Sequence, residues 1–370
     1  MIIVGDSMGK KKEEQALENK CPSCTASIKF NPKTGKFKCD YCGSEYTLEE
    51  LKKYNDNAST DEKNKPKEKQ SPQDTYDGYV NYHCESCGAE IIADEQTAAT
   101  FCVYCGNTAI LKSKLSGEFT PNRIIPFKKE KEEAITAFKG LSKGRPLMPR
   151  NFNNEKNIEK IKGVYIPFWL YDVHVEGDVN MTGTIVTHWS RGDTQYTKTD
   201  TYKLIRGGDM RFNSIPVDGS SHFDNDIMNT LEPFKFNDLI PYNHAYLSGF
   251  YAEKYDEEGE KVFDEASVRA LNSARSYFQN DPKRYTTKIV TSDTLKAEEK
   301  NKEYVMLPVW MVNVKYKDKM HIFAMNGQTG RFIGNIPLDP KRVIFYSTII
   351  FIISMVVCSI GSYVLYKVGM

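Results

Sequence analysis

Apolar and polar positions follow three different patterns along this chain. Over residues 343–366 (VIFYSTIIFIISMVVCSIGSYVLY) there is no charge and no proline. A hydrocarbon layer of roughly 30 Å is crossed by about 20 apolar residues in a helix, so this run predicts a transmembrane helix. Residues 113–340 mix two periods. The stretch 129–143 sets Ala134, Ile135, Phe138 and Leu141 at helical spacing, and 264–280 does the same with Val268, Leu271, Ala274, Arg275 and Phe278. Strand-like runs occupy 164–175, 179–189, 195–205 and 304–314, and Gly-Asp and Asn-Gly pairs are expected to turn the chain between several of them. The expected class is α+β: an antiparallel sheet with helices, preceded by small cysteine-rich units and followed by one C-terminal transmembrane helix.

The third pattern is polar. Residues 1–18 form a charged tail, and 52–78 hold almost no large aliphatic side chain. Such a stretch buries too little apolar surface to offset its ordering entropy, so it reads as a flexible linker. Just before it, Thr47 and Glu50 have the spacing of a helix capping box. The linker predicts that the unit at 19–51 moves independently, whereas 79–112 runs through Ala109, Ile110 and Leu111 straight into the body.

Inside the body, VYIPFWLYDVHV (164–175) and VMLPVWMVNVKY (305–316) share a Pro-x-Trp core with valine four residues after the tryptophan. Pro167 and Pro308 belong at a strand start or edge. Trp169 and Trp310 are expected to face one layer as core residues, in two related helix-plus-sheet units.

The cysteines add chemistry. Eight of the nine lie in the first third, as Cys21-x-x-Cys24 and Cys39-x-x-Cys42, then Cys84-x-x-Cys87 and Cys102-x-x-Cys105. Fourteen residues separate the pairs in both units, and Gly43 and Gly106 each follow the last cysteine. A Cys-x-x-Cys turn aims two thiolates at one ion, and two turns complete a tetrahedron. Between the pairs, Asn31-Pro32-Lys33-Thr34-Gly35 reads as a hairpin turn, as does Asp94-Glu95-Gln96. The expectation is two zinc ribbons, each with one structural Zn²⁺. Disulfides are disfavoured on the cytoplasmic side of a membrane, where this part of the chain is expected, and thioredoxin-like use lacks the βαβ context it would want. His83 beside Cys84 reads as a surface residue, since four thiolates already close the site.

Charge then separates partners. Formal net charge is +1, too small to favour nucleic acid globally. The first hairpin carries Lys29, Lys33, Lys36 and Lys38 beside Phe30 and Phe37, a candidate nucleic-acid face, while the second unit from Cys84 to Cys105 has acids and no Lys or Arg. Lys341 and Arg342 outweigh Lys367 across the span, which puts the N-terminal bulk on the cytoplasmic side of a single-pass cell-membrane protein. The N-terminus lacks the order of a signal peptide. Ser347, Ser354, Cys358 and Ser362 form a small-residue stripe suited to a dimer through the span.

Catalytic signatures are missing. The Gly5–Lys10 segment is too short for a phosphate loop. The letters GxSxG are spelled at Gly5–Gly9 and at Gly140–Gly144, but neither is expected on the strand-to-helix turn that a nucleophile elbow requires, and HExxH does not occur. His174, His188, His222, His244 and His321 are scattered singly, and Asp218, Asp224 and Asp226 near His222 read as a polar loop. The chain is not expected to be an enzyme.

Taken together, CPSC…CDYC, CESC…CVYC, YIPFW, Tyr246-Leu-Ser-Gly-Phe-Tyr-Ala252 and NGQTG, ahead of a C-terminal span, resemble bacterial membrane proteins described as TFIIB-type zinc-ribbon-containing proteins. The resemblance runs from about the second ribbon to the span. The first ribbon with its linker departs from it, and no helicase motor accompanies the ribbons. The resemblance implies phage-shock or flotillin-like proteins as partners. The function expected is a membrane-anchored adaptor that recruits proteins to the bilayer, with a membrane-tethered nucleic-acid-binding protein as the alternative.

Overall fold

The computed structural model describes residues 16–17, 20–61, 79–83, 90–94, 97–101, 108–111, 119–149, 152, 158, 161–223, 225–280, 285–317 and 319–368. Among them the chain is a mixed α+β protein with five α-helices.

Ahead of the first cysteine unit lies β1 (Ala16–Leu17); the unit itself contains β2 (Ile28–Asn31), β3 (Lys36–Cys39) and β4 (Glu45–Tyr46) and leads into α1 (Leu48–Asp61). Strands β2 and β3 pair antiparallel with Phe30 opposite Phe37, and β4 adds to β3. The hairpin closes where the sequence predicts: the Gly35 amide donates to the Asn31 carbonyl at 2.9 Å, and Gly35 takes φ +67°. The capping box also forms, with the Thr47 amide donating to Glu50 at 2.7 Å and the Glu50 amide to Thr47 Oγ1 at 3.3 Å. Helix α1 then continues to Asp61, into the stretch expected as linker. The helix starts on Glu49, Glu50, Lys52 and Lys53, good helix formers, and buries Leu51.

In the second unit, β5 (Tyr79–His83) pairs with β6 (Glu90–Asp94), and β7 (Thr97–Phe101) with β8 (Thr108–Leu111). The hairpin expected across Asp94–Gln96 is therefore not the pairing observed. Each strand instead bonds across its own Cys-x-x-Cys segment. Cys84, Cys87, Cys102 and Cys105 lie outside the described residues.

The body comprises β9 (Arg123–Ile124), α2 (Lys131–Gly140), β10 (Lys162–Arg191), β11 (Thr194–Asp218), α3 (Asn225–Thr230), β12 (Ile240–Pro241), β13 (Tyr251–Glu253), α4 (Gly259–Gln279), β14 (Thr287–Asp293), β15 (Lys296–Tyr316), β16 (Lys319–Asn326) and β17 (Phe332–Gly334); α5 (Pro340–Val368) follows. The path of the main sheet is β1-β8-β7-β13-β10-β15-β16-β17, with β11 and β14 also on β10. It is mostly antiparallel, but β13 runs parallel to β10 and β9 parallel to β15.

Strand β10 departs from expectation. The Gly177-Asp178 pair lies inside a single long strand, where Gly177 faces Gly208 and Asp178 faces Gly207. A Cβ at Gly177 would sit 2.7 Å from the Thr294 carbonyl. Glycine there admits the close approach of the 294–295 backbone instead of reversing the chain. The reversal comes at Gly192, with φ +58°.

Strands β10 and β15 form the centre, with Ile166 opposite Leu307, Pro167 opposite Met306 and Pro308 opposite Tyr165. Side chains alternate across this pair. One face carries Tyr165, Trp169, Tyr304, Met306 and Trp310, packed with Phe127, Phe138 and Phe250. The other carries Ile166, Phe168, Val305, Leu307 and Val309 under Met228, Leu231 and Phe234. Helix α4 lies on β10 through Ala266, Ala270 and Ala274. These small residues let the helix approach closely, so its buried stripe is rotated from the predicted one and Val268 is exposed. The loop Asn326–Gly330 is tied down by Asn326, whose Oδ1 accepts from the amides of Gln328 and Thr329 at 2.9 Å each.

Candidate metal centre

Cys21, Cys24, Cys39 and Cys42 converge, with all four Sγ atoms within 4.8 Å of one another. The two cysteine turns are built alike. The Thr25 amide donates to the Cys21 carbonyl at 2.8 Å, and the Gly43 amide to the Cys39 carbonyl at 2.9 Å. Each turn exits through a positive-φ residue, Thr25 at 59° and Gly43 at 74°. Glycine at 43 suits this conformation.

The Sγ atoms of Cys21 and Cys42 are 3.6 Å apart, and those of Cys24 and Cys39 3.5 Å. A tetrahedral ion with metal–sulfur bonds of about 2.3 Å has sulfur–sulfur edges of about 3.8 Å, so the cluster fits such an ion with minor adjustment. Cys21 and Cys39 are buried, whereas Cys42 is exposed.

The thiols do not ionise alike. At Cys42 the hydroxyl and amide of Ser44 favour the thiolate and bring it down to about 6. At Cys21 burial opposes ionisation, but the Tyr46 hydroxyl and the amides of Cys24 and Ser23 outweigh it and lower the thiol. At Cys24 the Ala26 amide favours the thiolate, yet desolvation and the three neighbouring sulfurs prevail and push it up to about 12. Four adjacent thiolates repel one another, and a central dication is the charge that lets all four exist together.

The sequence suggests a unit that moves independently; in the structure it rests on the body. The Phe30 amide donates to the Ser248 carbonyl at 3.0 Å. Phe30 and Phe37 pack on Tyr246 with ring centroids at 5.2 and 5.7 Å. Gly249, at φ +93°, leaves room for the stem of Lys29, which would lie 3.2 Å from a Cβ there. The seat is the Tyr246–Ala252 motif, and its continuation, β13, pairs through Ala252 with Ala99 of the second unit. Aromatic packing over that seat is what overrides the composition of the connecting segment.

Of the four lysines, Lys29 bonds Asp40 at 2.8 Å in an exposed pair of small energetic weight. Lys33, Lys36 and Lys38 are exposed. The aromatics expected to stack with bases, Phe30 and Phe37, are both buried. Sequence reasoning missed Tyr46, whose hydroxyl lies 3.6 Å from Cys21 Sγ, and Ser44, 3.3 Å from Cys42 Sγ. Only their closeness to the cysteines in the chain could have flagged them.

Asp218, read above as part of a polar loop, ends β11 and is 2 % exposed. Its Oδ1 accepts from the Ser220 amide at 3.1 Å, while its Oδ2 has no hydrogen-bond partner among the described residues. Burial, opposed by the Ser220 amide and reinforced by Glu257, Asp256 and Glu253, pushes the carboxyl up to about 8. Asp226 falls in α3, and Asp224 lies outside the described residues. His174 and His222 sit beside carboxylates, Asp209 at 3.2 Å and Glu253 at 3.4 Å.

At the C-terminus, residues Pro340–Val364 of α5 are long and apolar enough to cross a membrane, and none of that stretch is buried in the protein. The foot of the helix is fastened: the Asp339 amide donates to the Leu147 carbonyl at 2.9 Å and Arg342 to the Met148 carbonyl at 2.5 Å.

No family model matches the chain, and no solved structure matches it. A protein of Bacillus subtilis (strain 168) bearing the description "Uncharacterized protein YdjG" is 36% identical over 327 residues, which cover 88% of this chain and 92% of that protein. The chain belongs to the same family as YdjG.

Proposed function

We propose that this protein is a membrane-anchored zinc-ribbon adaptor. Its apolar C-terminal helix crosses the cell membrane once, with the N-terminal bulk cytoplasmic, as Lys341 and Arg342 at the foot of the span favour. In this reading Cys21, Cys24, Cys39 and Cys42 hold one structural Zn²⁺, and Cys84, Cys87, Cys102 and Cys105 hold a second. Closed four-thiolate sites leave no position for substrate, so the metals serve folding and not catalysis, and no reaction is assigned to the chain. The two Pro-x-Trp strands are read as an internal repeat, supported by their mutual pairing about Ile166 and Leu307. Membrane-associated proteins of the phage-shock or flotillin-like kind, suggested by the resemblance to TFIIB-type zinc-ribbon proteins, are the proposed partners, and the small-residue stripe of the span is a proposed dimer contact.

One observation carries the adaptor reading above the nucleic-acid reading. Phe30 and Phe37, the aromatics set among the hairpin's lysines, are committed to Tyr246 and are not available to stack on bases. What the first ribbon presents outward is Tyr41, 85% exposed between Cys39 and Cys42, a side chain suited to protein contact.

The test is a cross-linked capture of the full chain from native membranes, with and without nuclease, read by mass spectrometry. Nuclease-resistant partners that are lost when Cys102 and Cys105 become serine, but survive Lys29, Lys33, Lys36 and Lys38→Gln, establish the adaptor. Recovery of nucleic acid alone, lost in the glutamine variant and with rising salt, overturns it in favour of the alternative.

A further inference from the structure

The foot of α5 sits among cations drawn from three separate parts of the chain. Leu147 and Met148, whose carbonyls accept from the Asp339 amide and the Arg342 guanidinium, follow closely on Lys143 and Arg145. Further along the same segment, the Phe152 ring packs edge-on against Tyr316 and His321, with centroids 6.1 and 5.9 Å away. Lys317 and Lys319 lie in the turn between those two residues, where Tyr316 pairs with Lys319. His321 Nδ1 in turn lies 2.9 Å from the Asn335 carbonyl, on the approach to α5. Lys341 and Arg342 open the helix itself.

The sheet keeps this group at one end of the body. Met311 lies opposite Lys162, the first residue of β10, so the β15–β16 turn stands beyond the start of β10. From there β10 runs the other way, to Arg191 at the tip of its hairpin with β11.

Charge is concentrated at the same end. Residues 141–149, 316–323 and 335–342 hold six Lys or Arg against two acids, Asp318 and Asp339. The formal net charge of the whole chain is +1, so everything outside these three segments sums to −3 (1 − 4). Lys143, Arg145, Lys317, Lys319 and Lys341 are exposed, and none of the six cations has a carboxylate partner among the described residues. Asp339 is used in the helix entry, where its Oδ1 accepts from the Lys341 amide at 3.1 Å. Beside it Leu338 is 62 % exposed, an apolar side chain at the level where α5 leaves the body. Unpaired cations ringing the root of a span complement the negative surface of a cytoplasmic leaflet, which attracts them within about a Debye length.

We propose that this basic collar seats the body on anionic lipid headgroups, with Lys143, Arg145, Lys317 and Lys319 meeting the phosphates around the root of α5. The proposal deepens the anchored reading and rests on α5 spanning the membrane with the body on the cytoplasmic side. Lys341 and Arg342 bear on that sidedness by their place in the chain. The other four are supplied by the folded body and set how it stands against the bilayer.

The experiment uses the full chain in nanodiscs of equimolar phosphatidylglycerol and phosphatidylcholine. Lipid that stays with the protein after partial delipidation is identified by native mass spectrometry. The expected result is enrichment of phosphatidylglycerol by about tenfold, falling as salt rises. Replacing Lys143, Arg145, Lys317 and Lys319 together by Gln should cut that enrichment about fivefold or more. Replacing four exposed lysines elsewhere on the body, Lys198, Lys203, Lys261 and Lys296, by Gln should leave it unchanged. Circular dichroism of both variants separates loss of the collar from loss of fold, and the salt series on the wild type needs no variant. Equal retention of the two lipids overturns the proposal. So does an enrichment that survives the first variant, or one that falls equally in the second. Carbonate extraction of membranes reads the anchor separately. A chain that carbonate releases removes the span and this proposal with it, whereas an embedded chain with no lipid preference removes the proposal alone.

Discussion

Trp169 and Trp310 occupy the same face of the central sheet and make the same hydrogen bond at 2.9 Å. Trp169 Nε1 donates to the carbonyl of Glu257 and Trp310 Nε1 to that of Lys129. Glu257 and Lys129 each stand two residues before the first residue of a helix, Gly259 of α4 and Lys131 of α2. Each tryptophan thus pins a helix entry to the sheet, and each does so for the helix that precedes the other Pro-x-Trp strand. An indole is amphipathic in this way, with a buried ring and one donor that must be satisfied.

Removing that donor leaves a carbonyl short of its partner. Trp169→Phe and Trp310→Phe are each expected to lower stability by about 1–2 kcal/mol from the lost bond, with a further loss from the smaller ring. Chemical unfolding of the detergent-solubilised chain, followed by far-ultraviolet circular dichroism, measures it. Wild-type stability in both variants would mean that the helix entries are held by packing alone.

Metal removal tests the link between the four cysteines and the seat at Tyr246. In the proposed reading a unit this small is held by its ion, for structural Zn²⁺ with a binding free energy of order 10 kcal/mol. Chelation, or Cys39→Ser, is therefore expected to unfold the β2–β3 hairpin and withdraw Phe30 from Ser248 and Tyr246. Hydrogen exchange should rise together at 28–39 and 246–250, while the Ile166–Leu307 region stays protected. Protection at 246–250 that is indifferent to the metal would show the seat to be independent of the ribbon.

Much of this architecture is legible in the sequence because its signals are local. The helix over the charge-free run at 343–366, the convergence of the Cys21–Cys24 and Cys39–Cys42 pairs, the Asn31–Gly35 turn and the Thr47–Glu50 cap each have signals close together in the chain, and each forms where its signal falls. What was illegible depends on tertiary partners. Gly177-Asp178 carries a turn signature, yet Gly208 lies opposite and the Thr294 backbone packs above, so the pair lies within a strand. The Asp94–Gln96 turn signal predicts that Thr97–Phe101 pairs with the strand before it, but β8 and β13 claim both its edges. The docking of Phe30 on Tyr246 leaves no trace in the polar composition of 52–78, because composition reports the connector and not the surfaces it joins. Asp218 looked like one more loop acid, and only burial distinguishes it.

That burial has a pH signature. The Asp218 carboxyl is raised to about 8 in the folded chain, against about 3.9 for an unperturbed aspartate. Between those values the folded protein keeps a proton that the unfolded chain releases, so stability falls as pH rises from about 4 to about 8 and levels off above. Each unit of displacement corresponds to about 1.4 kcal/mol. Glu253, Asp256, Glu257 and His222 lie close by, so the informative quantity is the difference between wild type and Asp218→Asn across pH 5–9. The asparagine variant should gain on wild type as pH rises. A difference that is flat over this interval would place the Asp218 pKa near its ordinary value.

The last prediction concerns Gly249, where two constraints meet. Its φ of +93° is a conformation that side-chain-bearing residues avoid, and a Cβ would press on the Lys29 stem at 3.2 Å. Gly249→Ala therefore strains the backbone of the seat and crowds the ribbon that rests on it. The expected cost is about 1–3 kcal/mol, shared between the body and the docking contact. Lys29→Ala in the same chain relieves the crowding but not the strain. If docking protection at 28–39 recovers in the double variant while the unfolding midpoint stays low, the steric and conformational parts are separate, as the geometry requires. A single variant with unchanged protection and unchanged midpoint would show that residue 249 readily leaves its positive φ, and that glycine there is incidental to seating the ribbon.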